Sequence, residues 1–87
     1  MRYRILYHPG IKYDLKNLGS VEMERFFNFV NTKISENPFI GKKLQGKYYN
    51  LYRARIGSYR VIYKINSEQK TVIILKFGHR QGVYDAG

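Results

Sequence analysis

The sequence contains no cysteine and no tryptophan, two prolines, and six acidic residues against sixteen lysines and arginines. Each scarcity excludes something. Without cysteine there are no disulfides and no thiolate metal sites to staple the fold. No apolar run approaches the ~20 residues needed to cross a bilayer, and no signal-type apolar segment follows Met1-Arg2-Tyr3-Arg4, so a cytoplasmic protein without membrane contact is expected. Metal-ligand spacings, Walker-type and dinucleotide glycine patterns, and a pair of carboxylates within one element are all missing, so neither a metal nor another cofactor is expected. Gly41-Lys42-Lys43 and Gly46-Lys47 match a phosphate loop only superficially.

What is present is positive charge on a short chain. Eighty-seven residues with a formal charge of +10 imply one small domain, residues 1–87, with a compact core. Such a field attracts nucleic acid, an anionic membrane or an acidic protein. The charge is also uneven. Between Asn37 and Ser67 no acid occurs, while Lys42, Lys43, Lys47, Arg53, Arg55, Arg60 and Lys64 all do. A solvated face is one explanation for such a run; relief of the self-repulsion by a bound anion is the other.

The hydrophobic pattern orders the elements. Arg2–Tyr7 alternates as a strand, with Tyr3, Ile5 and Tyr7 on one side, and His8-Pro9-Gly10 breaks it. Ile11, Leu15 and Leu18 follow helical spacing up to Gly19, and Ser20 reads as the N-cap of a second helix. In that helix Met23, Phe26, Phe27, Val30 and Ile34 form one apolar stripe, which reads as core rather than as a ligand box. Asn37-Pro38 ends the helix, since a residue before proline avoids the α region. Pro38–Asn50 reads as loop, and Leu51–Ile56, Tyr59–Ile65 and Thr71–Phe77 as strands. The expected class is therefore α+β, in the order β-α-α-β-β-β, with a helical pair packed on one face of a mainly antiparallel four-stranded sheet.

Gly57-Ser58 sets the register of the central hairpin. A two-residue loop with glycine first favours a type II′ turn, and it pairs Ile56 with Tyr59, Arg55 with Arg60, Ala54 with Val61 and Arg53 with Ile62. One face then carries Tyr52, Ala54, Ile56, Tyr59, Val61 and Tyr63 toward the helices; the other carries Arg53, Arg55, Arg60, Ile62 and Lys64. Directly opposed like charges destabilise an antiparallel pair by roughly 0.2–1 kcal/mol. The Arg55–Arg60 couple is thus either a coat for an exposed face or an anion site, for which guanidinium groups have the right bidentate geometry. Beyond the last strand, His79 is a candidate general acid or base, or a plain surface residue. Arg80 adds a cation, and Tyr84 either stacks on a base or packs back on the sheet.

The loop Gly41-Lys42-Lys43-Leu44-Gln45-Gly46, the run Leu51 to Tyr63 and the ending Gly78-His79-Arg80-Gln81-Gly82-Val83-Tyr84 resemble the RelE/ParE toxin superfamily over essentially the whole chain. The resemblance is to the RelE branch, toxins that cut messenger RNA in the ribosomal A site and are silenced by a RelB-type antitoxin. It implies a metal-free endoribonuclease in which Arg55, Arg60, Arg80 and Tyr84 are catalytic and Arg53 holds the RNA backbone. Lys47, Lys64 and His79, read from the basic run and the tail, are expected as further RNA contacts. Ribosome and message are then the partners, together with an acidic antitoxin in a hetero-oligomer. Arg53 and Arg55 stand where reference members of the branch have lysines. Because arginine keeps its proton, the base is left among Tyr84, His79 and water. A ParE-like gyrase poison and a non-catalytic RNA- or ribosome-binding module are the alternative functions.

Overall fold

A computed structural model of the protein describes residues 2–48 and 50–79. Five strands form one mixed sheet in the order β1-β5-β4-β3-β2: β1 (Arg4–Tyr7), β2 (Lys42–Lys43), β3 (Leu51–Ile56), β4 (Tyr59–Asn66) and β5 (Thr71–His79). Four strands were expected. The fifth is the two-residue β2, inside the segment read as loop, where Lys42 pairs with Arg53 and Lys43 with Tyr52. No apolar alternation marks it, because main-chain pairing to the edge of β3 creates it. β1 is parallel to β5, and the remaining pairs are antiparallel.

Two helices, α1 (Ile11–Leu15) and α2 (Ser20–Phe29), join β1 to the rest of the sheet. Ser20 is not the cap. Gly19, in extended conformation, takes that position, and its carbonyl accepts the Met23 N–H at 3.0 Å, so Ser20 enters as the first helical residue. α2 runs on into a π-helical turn, Val30–Ile34, closed by the Ser35 N–H on the Val30 carbonyl. The Asn31 carbonyl accepts from Ser35 Oγ at 2.8 Å and from Arg2 Nη2 at 2.6 Å, and Tyr3 N–H donates to the Ser35 carbonyl at 2.7 Å. The first residues of the chain are thereby pinned to the wide turn. Asn37 caps the 3₁₀ turn at Pro38–Ile40, accepting the Phe39 N–H.

Three of the five stripe residues form the helical side of the core, Phe27 packs partly buried against it, and Met23 lies outside the cluster. Phe26, Val30 and Ile34 are fully buried against Ala54, Ile56, Val61, Tyr63, Val72, Ile74 and Phe77 from the sheet. Each such side chain contributes about 1.5–3 kcal/mol by leaving water. Phe26 anchors it, at 5.0 Å from the Phe27 ring and 4.5 Å from the Phe77 ring.

The edge of β5 is completed in an unusual way. β1 accompanies it only as far as Ile74, and the Ile74 carbonyl then accepts the His8 N–H at 2.9 Å. Further along, Asp14 of α1 takes the place of a strand: its Oδ2 accepts the Phe77 N–H at 3.0 Å, and its Oδ1 lies 3.8 Å from Lys76 Nζ. His8 is structural, with Nδ1 accepting the Gly10 N–H at 3.0 Å. Replacing Asp14 by alanine should cost about 1–3 kcal/mol, because it strands a half-buried main-chain donor. Asp14→Asn keeps the acceptor and should recover most of that loss in a denaturant titration. If the two variants unfold alike, the ion pair and not the main-chain bond is the stabilising element.

Candidate nucleic-acid interface

The site follows from the hairpin register, which is the one expected: Arg55 opposite Arg60, Ile56 opposite Tyr59, Ala54 opposite Val61, Arg53 opposite Ile62. Gly57 has a positive φ of 63° and Ser58 does not, the pattern of a type II′ turn. Side chains paired across strands share a face. The face away from the helices therefore reads in rows: Lys42, Arg53, Ile62 and Lys76; Arg55, Arg60 and Gly78; Leu51, Lys64, Ile73 and Leu6. None of the five strands contains an acidic residue.

This face is not simply an exposed coat of arginines. Arg55 and Lys64 are exposed, but Arg53 is 8% and Arg60 only 3% exposed. Neither buried arginine is without an interaction partner, as burial of a guanidinium requires. Ile62 is fully buried on the same face, in a small second cluster with Leu44 and Leu51. The face is thus a partly enclosed cationic surface on an apolar footing. At its centre Gly78, opposite Arg60, contributes no side chain.

Two of its cations escape a reading of the sequence. Lys42 belongs to the short strand inside the apparent loop. Lys76 lies in the most apolar strand, where a single lysine interrupting Val72-Ile73-Ile74-Leu75 and Phe77 was the available signal. An irregularity between Ile62 and Tyr63 shifts the β4–β5 register and brings Lys76 opposite Ile62. Lys47 sits exposed in the 3₁₀ turn Gly46–Tyr48, at the approach to β3.

His79 is not brought to the arginines. It pairs with Tyr59, and its ring lies 4.3 Å from the Tyr59 ring, which in turn stacks on Phe77 of the main core at 5.0 Å. That is the helix side of the sheet. Arg80 and Tyr84 lie outside the described residues.

Gly41, in the motif that loosely resembled a phosphate loop, has a packing role. Tyr63, on the core face, sends its hydroxyl to the Pro38 carbonyl at 2.7 Å and accepts a hydrogen bond from the Gly41 main chain. Burial pushes the Tyr63 hydroxyl up to about 12 from the ordinary 10. An unfolded tyrosine ionises at about 10 and the folded one does not, so this contribution to stability is full below pH ~10 and lost as pH rises toward ~12. Circular dichroism should show alkaline unfolding across that window. Tyr63→Phe, less stable at neutral pH, should show a flatter dependence there; an unchanged slope would assign the transition to other groups.

Among the described residues no three histidine, aspartate or glutamate side chains gather as a metal site, and no helix is long and apolar enough to cross a membrane. A cationic surface on a small α+β scaffold remains. Residues 5–84 match the family described as the ParE toxin of the type II toxin-antitoxin system, parDE. The chain belongs to this family. It is a RelE-type toxin of a type II toxin–antitoxin system within the RelE/ParE superfamily. It is 31% identical to Toxin RelG of Mycobacterium tuberculosis over 85 residues, covering 97% of this chain and 98% of that one. It is also 31% identical to Putative toxin RelE1 of Methanocaldococcus jannaschii, covering 97% of both. Among solved structures, a chain of the M. tuberculosis toxin–antitoxin complex RelBE2 superposes with a TM-score of 0.86 at 30% identity, over 92% of this chain and all of that one. The archaeal RelE–RelB complex from Pyrococcus horikoshii gives 0.71 at 34% identity, over 95% of this chain and all of that one.

Proposed function

We propose that this toxin is an endoribonuclease that cuts messenger RNA in the ribosomal A site without a metal. The observation that carries the reading is the directly opposed Arg55–Arg60 pair on strands that hold no acid. The reaction asks little else of a protein. The substrate's 2′-oxygen attacks the neighbouring phosphorus, a bond from that oxygen to phosphorus forms, and the bond to the 5′-oxygen breaks. This leaves a 2′,3′-cyclic phosphate and a 5′-hydroxyl that takes up a proton from water. Arg55 and Arg60 offer guanidinium donors to the non-bridging oxygens, where charge accumulates in the transition state. Arg80, directly after β5, and Tyr84 complete the site in this reading. Arg53, Lys42 and Lys64 hold the backbone, and Lys47 extends the positive approach, whereas Lys76 is engaged by Asp14. Arginine cannot take the 2′-proton. With His79 on the opposite face, Tyr84 or a water is the acceptor.

An acidic RelB-type antitoxin is the proposed silencing partner. Support comes from the formal charge of +10 and from the RelBE2 and RelE–RelB complexes that the fold matches.

The test uses purified toxin on ribosomes carrying a defined message. Cleavage within the A-site codon, undiminished by a metal chelator, is the expected result. Because the matching family is described as the ParE toxin, DNA gyrase is assayed in parallel. Loss of supercoiling with intact message would replace the nuclease by a gyrase poison. Binding to ribosomes with neither effect would make the protein a non-catalytic module.

A further inference from the structure

A groove of about 330 Å³ runs beside the hairpin turn, between the second helix and the edge of β3, lined among others by Arg25, Asn28, Thr32, Lys33, Arg55 and Gly57. We propose that it is a second phosphate-binding site, which holds the RNA backbone where the strand leaves the arginine face. The inference rests on the RNA-cleavage reading and extends it by giving the substrate a path.

Four features support it. Three cations converge here, Arg25 and Lys33 from one continuous helical run and Arg55 from β3, and among the described residues no acid lines the groove. Arg25, Lys33 and Arg55 are exposed. Arg25, Asn28, Phe29, Thr32 and Lys33 follow i, i+3, i+4, i+7 and i+8 spacing, a second helical stripe beside the apolar one that runs on into the π-helical turn. Arg25 is also placed in advance. Its terminal nitrogens lie 3.0 and 3.5 Å from where a Cβ on Gly57 would stand, so the guanidinium rests on the bare turn glycine. That arrangement lowers the entropy lost on engaging an anion.

Arg55 belongs to both places. It opposes Arg60 on the sheet face and lines the groove, so the groove begins where the arginine row ends. The volume is at the small end of ligand pockets, ~300–1,000 Å³, and suits a nucleotide-sized group. β2 pairs only with Tyr52 and Arg53, which leaves the main-chain edge of Ala54–Ile56 beside the groove. An added strand from an acidic protein would use that edge. Continuity with the Arg55–Arg60 row favours RNA instead.

The experiment measures binding of single-stranded RNA by fluorescence anisotropy over a salt series, with oligomers of about ten and about three nucleotides. Arg25→Gln/Lys33→Gln should lower the salt slope for the longer RNA by about 1.4, at about 0.7 per phosphate contact. Binding of the shorter RNA should not change. Lys12→Gln/Lys16→Gln, exposed cations of α1 and its C-terminal end, should leave both slopes alone. Arg55→Ala should weaken both oligomers. An equal loss in the α1 control would reduce the groove to general charge and overturn the inference. Unchanged RNA binding by the groove variant, with Arg55→Ala still impaired, overturns it while the cleavage reading stands. The same is concluded if the groove variant keeps RNA but loses a polyglutamate peptide. If Arg55→Ala also binds RNA normally, the cleavage reading falls with it.

Discussion

Replacing Arg55 with threonine should abolish message cleavage while leaving the protein slightly more stable. Arg55 is exposed and faces Arg60 directly, so its removal relieves a repulsion of roughly 0.2–1 kcal/mol in an acid-free pair of strands. Threonine also fits a pleated surface well. The melting temperature should rise by up to a few degrees. Loss of one preorganised charge from a phosphorane-stabilising site typically lowers the rate by about 10²–10³. Opposite signs for stability and activity mark a residue kept for function. Rate and melting temperature measured on the same preparation decide it: full activity in Arg55→Thr removes Arg55 from the site, and a destabilised variant shows that the pair is not a net repulsion. Arg60 is the poorer probe. At 3% exposure and with a partner of its own, Arg60→Ala lowers stability along with activity and cannot separate the two.

The largest loss of stability is expected at Gly41. A methyl group there would collide with the Tyr63 hydroxyl and come within 2.8 Å of the Arg53 carbonyl oxygen. The backbone is extended, with φ of −75°, so space and not conformation excludes a side chain. Overpacking of this kind costs about 1–3 kcal/mol. Displacing Tyr63 from Pro38 adds the cost of buried polar groups left without partners, about 1–3 kcal/mol. Together these lower the melting temperature on the order of 10–20 °C for a domain of this size. Tyr63→Phe removes the colliding oxygen and by itself costs about 1–3 kcal/mol. The double variant should therefore be clearly more stable than the sum of the single effects predicts. Strict additivity in the double-mutant cycle would show that the Arg53 carbonyl alone excludes the methyl. Because Gly41 leads directly into β2, Gly41→Ala should also weaken the pairing that places Lys42 beside Arg53.

Most of the scaffold was legible because local rules decided it. The 3.6-residue stripe of Phe26, Val30 and Ile34 had to face a core, and a two-residue turn led by glycine permits only one register, so the Arg55–Arg60 couple followed from Gly57-Ser58. Less local features were hidden. β2 has no periodicity of its own, and Asp14 reads as an ordinary helical acid although it completes the sheet edge 63 residues away. His79 closes the last strand, and strand alternation turned it to the helix side of the sheet, away from Arg55 and Arg60.

The sequence by itself determined the α+β scaffold, its strong positive charge, the hairpin register and which side chains share a face with Arg55. Those follow from periodicity, turn stereochemistry and composition, each set within a few residues. Only the tertiary structure decided that Arg53 and Arg60 are enclosed while Arg55 is exposed, that Lys42 and Lys76 join their rows, and that Arg25 and Lys33 meet Arg55 in a groove. The reason is that enclosure and convergence depend on segments far apart in the chain, brought together by the burial of apolar surface, which no local pattern encodes.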